Sequence, residues 1–301
     1  MWPFSKKWSP PAPRLAMVVA LANDELPPVV MLANPDGTGG AVAGMAGPAQ
    51  GKPTPENMLQ PMQEGHYVAL SPGGGSCSLE VERSDPQSSG GLHLDPETLE
   101  PSGLTEEMLA KFNRPAWQMV LQMQAPGKNV NETVLFATRI AKRLAALGDG
   151  IVMDTSAYRF FGPAGWPVEE PIAELDAREH VHVHIETGDG QEPHWLHTHG
   201  MLKFGRPEME IYDVPPEMDD TAFAMLLNTA QYVITAALIE PGQTCGDPNQ
   251  PFYAREGTKN KAGHWEDASV LEMVDVDDNG RPADSGAPKA LQAFAAFKAE
   301  E

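Results

Sequence analysis

The sequence is poor in cysteine and in basic residues. Cys77 and Cys245 are its two cysteines, and they form no CxxC pair, so a disulfide framework is not expected and a cytoplasmic location fits. Lys and Arg together number 21 against 42 acidic residues, which gives a formal net charge of −21. Such a charge repels phosphates and anionic lipids, so the sequence predicts no nucleic-acid partner and no membrane partner.

Long apolar runs are also missing, since none approaches the roughly 20 residues that a membrane-spanning helix requires. The apolar run "LAMVVALA" at residues 15–22 follows a basic start, which is the arrangement of a secretory signal or of a β-strand. Its valines and short length favour the strand. A second run, "VVML" at residues 29–32, predicts another strand after a turn.

The order of the remaining patterns predicts an α+β fold. Residues 1–104 are rich in turn-forming residues and predict a loop-rich, mostly β N-terminal region with a flexible segment at residues 34–55. Residues 105–301 mix strand and helix periodicities and predict an α+β domain. We expect a mixed or antiparallel sheet with packed helices, and a strand–helix–strand stretch suggests ferredoxin-like elements.

Six of the nine histidines lie in residues 180–200, "HVHVHIETGDGQEPHWLHTHG". In "HVHVH" histidine alternates with valine, which predicts a strand with His180, His182 and His184 on one face. In "HWLHTH", His197 and His199 share a face in the same way. The turn-rich residues between the two stretches predict an antiparallel hairpin. The hairpin is the candidate functional site.

Two registers are open for this hairpin. A tight turn at residues 189–190 would place His182 opposite His197, whereas a six-residue loop over residues 188–193 would place His184 opposite His197. The proline that ends the longer loop cannot donate to a strand ladder, which favours the longer loop.

Either register groups imidazoles on one face, and neutral imidazole is a common ligand of Zn²⁺ and other divalent metals. The candidate metal ligands are His182, His184, His197 and His199. Glu186 and Glu208 are candidate bases for a metal-dependent hydrolase. The zincin pattern HExxH is absent, and no cofactor other than such a metal is indicated. The structural alternative is a row of histidines that binds nothing or hydrogen-bonds within the core.

The segment that follows the hairpin resembles a known signature. "WLHTHGMLKFGRPE" at residues 195–208, with Glu210 just beyond it, resembles bacterial families known as domains of unknown function, in which WLHTHG precedes FGxPE. The resemblance covers residues 114–240 and implies an α+β bacterial domain without established activity. Some similar domains look like immunity or interaction modules of toxin systems. We therefore expect a binding or interaction module with a protein partner, and the alternative is a metal-dependent hydrolase; whether the protein is an enzyme stays open at this point.

Overall fold

The structure is a computed structural model that describes residues 8–33, 44–46, 59–71, 73–84, 105–162, 175–187, 193–247, 250–257, 269–277 and 279–300. The chain forms two compact units. The N-terminal unit is Arg14–Leu175, and the C-terminal unit is Asp176–Glu301 together with Met1–Pro13. The predicted division after residue 104 falls inside the N-terminal unit, because strands from both sides of that position pair in one sheet.

The strands of the N-terminal unit are β1 (Ala16–Leu21), β2 (Gly44–Ala46), β3 (Gly65–Leu70), β4 (Ser76–Arg83), β5 (Trp117–Ala125), β6 (Gly150–Asp154) and β7 (Arg159–Phe161). Its helices within the described ranges are α1 (Val29–Ala33), α2 (Glu106–Asn113) and α3 (Val130–Gly148). The sheet order is β2-β3-β4-β5-β1-β6-β7, and each neighbouring pair is antiparallel.

The strand predicted at residues 15–22 is confirmed as β1, which lies between β5 and β6. Its two faces are both buried: Leu21 contacts the end of α3, and Val18 belongs to a cluster with Phe112 of α2 and Ile151 of β6. A strand covered on both faces is apolar at successive positions, which explains the uninterrupted run. The strand predicted at residues 29–32 is wrong, since these residues form α1 after two prolines that cannot donate to a ladder.

The connection from β5 through α3 to β6 joins two strands that run parallel, because both are antiparallel to β1 between them. Asn129 caps the start of α3, and Asp149 adopts a left-handed conformation at its end. This is a split β-α-β connection, while the wider ferredoxin-like comparison stays a prediction. The predicted flexible segment at residues 34–55 lies outside the described residues except for β2, which pairs with β3.

The C-terminal unit contains α4 (Ala177–His180), β8 (His182–Glu186), β9 (His194–His199), β10 (Glu208–Val214), α5 (Asp219–Thr235), β11 (Thr244–Asp247), β12 (Gln250–Glu256), β13 (Val270–Asp275) and α6 (Pro288–Glu300). Short 3₁₀ turns cover Met201–Phe204 and Pro216–Met218. The sheet order is β11-β12-β13-β10-β9-β8, with β10 and β13 parallel and the other pairs antiparallel. Two sheets with helices packed on them confirm the α+β prediction.

The C-terminal sheet has one apolar face and one polar face. Helix α5 packs on β8, β9 and β10, and α6 packs on β11, β12 and β13. Alternate residues such as Leu196, Ile211 and Met273 are buried and supply the apolar face. Asp275 lies on this side too, where its carboxylate accepts backbone N–H groups from the first turn of α6. The residues between them form the polar face, which carries the histidines. Over the described parts of the chain, no helix combines the length and apolarity needed to cross a membrane.

Candidate functional site

The predicted hairpin is present, and its register is that of the longer loop. Strands β8 and β9 pair antiparallel, with His182 opposite His199 and His184 opposite His197. The alternative register with a tight turn is therefore wrong. The ladder begins just after Pro193, which has no N–H group to donate to it.

His180 lies outside this hairpin, contrary to the prediction that it shares a face with His182 and His184. It is the last residue of α4, whose first turn donates a backbone N–H to the carboxylate of Asp176. Its buried ring meets Phe204 edge to face, with centroids 5.7 Å apart. The capped helical turn delays the start of the strand, so the alternation of faces holds only from His182 onward.

His197 and His199 form a close, buried pair on the polar face. Their Nε2 atoms are 3.1 Å apart, a distance at which one imidazole donates a hydrogen bond and the other accepts it. Their rings are nearly perpendicular, at 83°. The ring of Trp195 packs on His197 with centroids 4.1 Å apart. The two Nε2 atoms therefore converge, and aromatic packing limits the movement of one of them.

The other two predicted ligands are nearer to solvent. The ring centroid of His184 lies 5.3 Å from that of His197 and 6.5 Å from that of His199, and the centroid of His182 lies 6.1 Å from that of His184. The Nε2 atom of His184 is 3.4 Å from Glu186 Oε1 at the edge of the sheet. The fold thus brings three predicted histidines together, with a predicted carboxylate beside one of them.

The predicted histidine ligands are not arranged around one common point. Among the described residues, no group of three or more His, Cys, Asp or Glu side chains is arranged to hold a metal ion. Metal coordination by His182, His184, His197 and His199 therefore stays a prediction.

The second predicted carboxylate, Glu208, is engaged by backbone groups. It accepts hydrogen bonds from the hydroxyl of Thr198 at 2.8 Å and from the N–H groups of Gly200 at 3.0 Å and Leu202 at 3.2 Å. Burial raises the pKa of Glu208 to about 7, and these hydrogen bonds oppose part of that effect. In this position the carboxylate fastens the 3₁₀ turn that follows β9.

A row of ionisable side chains crosses the polar face from strand to strand. His184 lies opposite His197, His197 opposite Glu210, Glu210 opposite Glu272, and Glu272 opposite Arg255. The three central members are fully buried. Sequence reasoning had noted Glu210 downstream of the hairpin but missed Glu272 and Arg255, because these two residues lie on strands that are distant from the hairpin in the chain.

The buried charges in this row have hydrogen-bond partners. The guanidinium of Arg255 donates to both oxygens of Glu272, at 2.9 and 2.7 Å, and this hydrogen bonding raises the pKa of Arg255. Glu210 accepts from the indole N–H of Trp195 at 3.2 Å and from the hydroxyl of Tyr212 at 2.9 Å. Burial, followed by the charge of Glu210, raises the pKa of Tyr212. Glu210 is therefore held in a fixed position beside His197, with the Glu272–Arg255 pair next to it in the row.

His194 takes no part in the cluster. Its Nδ1 atom lies 2.8 and 3.0 Å from the carboxylate oxygens of Asp219 at the start of α5. This contact ties the first residue of β9 to the helix that covers the sheet, so it has a structural role.

A cavity of about 640 Å³ lies on the opposite, helix-covered side of the same sheet. Its walls come from α5, α6, β11 and β12, and they include Met225, Thr229, Cys245, Phe252 and Phe294. Burial raises the pKa of the Cys245 thiol, so this group is not an activated nucleophile. No pattern in the sequence pointed to this cavity, because its walls are separate segments that meet only in the folded unit.

The fold and the hairpin define this unit as an α+β domain with a histidine-bearing mixed sheet. Residues 181–268 match a family model described as "Protein of unknown function (DUF4026) C-terminal". The match covers β8 to β12 and includes the histidine hairpin, and the family's description gives no activity. No curated protein and no solved structure matched the chain.

Proposed function

We propose that the C-terminal unit is a binding module whose ligand is a small apolar or amphipathic molecule held in the cavity between α5, α6, β11 and β12. The observation that carries this proposal is the cavity itself, because its volume of about 640 Å³ is in the ordinary range of small-molecule sites.

The lining supports a mostly apolar ligand with one polar end. Met225, Phe252 and Phe294 supply apolar contact, while the amides of Asn228 and Gln250 can exchange hydrogen bonds with one polar end of a ligand. Within the described part of the chain, the lining contains no Asp, Glu, Lys or Arg. A neutral head group therefore suits this cavity better than a charged one, since a charge would be desolvated without a partner.

The entrance of the cavity is marked by exposed aromatic rings. Tyr232 of α5 and Phe297 of α6 both line the cavity, and they are 51% and 55% exposed. An immunity-type interaction with a protein partner would use these rings as contacts at the rim, and its support is the resemblance of residues 195–210. The depth of the cavity behind the rings, with a volume of about 640 Å³, favours the small molecule, and the protein partner is a distinguishable outcome of the test.

A metal-dependent hydrolase is less well supported by the geometry. The carboxylate of Glu208 already accepts hydrogen bonds that fasten a backbone turn, so its use as a base would release that turn. Glu186 is half-exposed beside His184, and the cavity lies on the opposite side of the sheet from it.

The binding module is tested with a fluorescent apolar probe, N-phenyl-1-naphthylamine, on the full chain. We expect saturable binding by the wild type and loss of most of it in Ala293→Trp, because the new ring occupies the cavity wall. The matched control is Ala296→Trp, one turn further along the same helix, at an exposed position that is not part of the lining. Equal binding by the two variants would refute the proposal.

The thiols provide a second readout that does not depend on fluorescence. Cys245 lies in the cavity wall and is partly exposed, whereas Cys77 is fully buried and has a pKa raised by burial to about 12. We expect iodoacetamide to alkylate Cys245 alone in the folded protein, and bound probe to slow that reaction. Unchanged alkylation at saturating probe would place the probe elsewhere and contradict the proposal. If a co-purified protein slowed the alkylation of Cys245 and the probe did not, the result would favour the interaction module.

A further inference from the structure

We propose that His184, His197 and His199 form a binding site for a divalent transition-metal cation with an open fourth position. The site lies on the polar face of the C-terminal sheet, and none of its three residues lines the cavity. The inference is therefore independent of the ligand-binding proposal.

The histidine pair already has the spacing of two ligands. Zinc–nitrogen bonds of roughly 2.0–2.1 Å at tetrahedral angles place two ligand nitrogens about 3.3 Å apart. The Nε2 atoms of His197 and His199 are 3.1 Å apart. Two imidazoles bound through Nε2 would also have ring centroids about 5 Å apart, and the observed separation is 4.8 Å. A cation can replace the shared proton with little movement of either ring.

His184 is placed to supply the third nitrogen. It lies directly opposite His197, and the ring centroids are 5.3 Å apart, close to the distance for two ligands of one ion. Its centroid is 6.5 Å from that of His199, which is about 1 Å too long, so its ring must turn toward the pair.

The contact that holds His184 away from the pair is weak. Its Nε2 atom lies 3.4 Å from a carboxylate oxygen of Glu186, and the two side chains are 37% and 49% exposed. An exposed contact of this length contributes little free energy, so turning the His184 ring away from Glu186 has a small energetic cost. Rotation of His184 toward the pair would complete a three-ligand group, which the described residues do not otherwise form. The exposure of His184 also leaves the fourth position open to water.

The surroundings favour a cation over an anion. Glu210 is buried next to His197 in the cross-strand row, and its carboxylate is positioned by Trp195, whose ring packs on His197. A fixed carboxylate behind a ligand histidine stabilises positive charge at the site. Three imidazole nitrogens select Zn²⁺, Co²⁺, Ni²⁺ or Cu²⁺ over Mg²⁺ and Ca²⁺, which prefer oxygen ligands.

The test is a Co²⁺ titration of the untagged full chain after treatment with EDTA and its removal. Co²⁺ reports its ligands through visible absorption bands, so binding is read without any assay of activity. We expect about one equivalent bound with tetrahedral-type bands, displaced by Zn²⁺. Removing one imidazole in His184→Ala should weaken binding by at least ~10-fold. This position is partly exposed, so the variant should fold, and its far-UV circular dichroism and melting temperature check that.

The matched control is His66→Ala, which removes an exposed histidine from β3 of the N-terminal unit. It should bind Co²⁺ as the wild type does. His199→Ala, in a variant verified to be folded, should abolish the visible bands. Lack of Co²⁺ binding at roughly 1 mM, or wild-type affinity in His184→Ala, would overturn the proposal. Ala293→Trp should leave Co²⁺ binding unchanged, so failure of the cavity proposal and failure of this one are separable.

Discussion

Replacing Glu208 with glutamine should remove a specific pH dependence of stability. The carboxylate is 2% exposed and accepts hydrogen bonds from Thr198, Gly200 and Leu202. Burial raises its pKa from an ordinary 4.5 to about 7. A glutamine oxygen can keep the two backbone bonds, while its NH₂ group donates to the Thr198 hydroxyl, which has lone pairs to accept it. The substitution therefore removes the titration without emptying the site.

The size and the sign of the effect follow from the pKa difference. At about 1.36 kcal/mol per pKa unit, the difference between 4.5 and about 7 corresponds to roughly 3 kcal/mol. Between these two pH values the folded state holds the proton more tightly than the unfolded state does. The free energy of unfolding therefore falls as pH rises from about 4.5 to about 7, and it is flat above that range with respect to this group. Because glutamine does not titrate, the free energy of unfolding of Glu208→Gln should rise by roughly 3 kcal/mol relative to that of the wild type as pH increases across the same interval.

The assay is native-state hydrogen exchange of peptides that cover β9 and β10, corrected at each pH for intrinsic exchange rates. It reports the opening free energy of the region that contains Glu208. Glu217→Gln, at an exposed position of the same unit, is the control and should follow the wild type at every pH. If the difference in opening free energy between Glu208→Gln and the wild type stayed constant from pH 4.5 to 8, the Glu208 carboxylate would not titrate in this range. That result would refute the reasoning.

Two further substitutions test other contacts. Arg255→Lys loses the two-pronged hydrogen bonding to Glu272 and the bonds to two backbone carbonyls, so the free energy of unfolding should fall by about 2 kcal/mol or more in urea denaturation; an unchanged midpoint would contradict it. Gly127→Ala should lower the free energy of unfolding by more than Gly74→Ala does. Both glycines have positive φ, but only a Cβ added at Gly127 would lie 2.5 Å from a backbone nitrogen, that of Gly75. Gly74→Ala should cost about 1 kcal/mol, and equal melting temperatures for the two variants would show that the close approach relaxes.

The hairpin shows how far local sequence reasoning reaches. Alternation in "HVH" and "HWLHTH" identified the strand faces, and the proline before β9 selected the register that pairs His184 with His197. These features depend on the two-residue period of a strand and on one missing N–H group, so neighbouring residues are sufficient to determine them. The same reasoning failed at His180, where a capped helical turn competes with the strand over only a few residues.

The rest of the polar face could not be derived in that way. Glu210 and Glu272 become neighbours through a parallel pairing of β10 with β13, although the described elements α5, β11 and β12 lie between these strands in the chain. Glu208 has the same strand parity as Glu210, yet its carboxylate turns back to the 3₁₀ turn at the end of β9. The order of strands in a sheet and the contacts of its ends are set by long-range packing, which no local period encodes.

The sequence by itself determined the α+β class, the histidine hairpin and the faces of its strands, because hydrophobic periodicity and turn residues act over a few positions. Only the tertiary structure decided that β1 lies between β5 and β6, that Nε2 of His197 meets Nε2 of His199, and that a cavity opens between α5 and α6. Those features join segments far apart in the chain, and they follow from how buried faces pack against each other.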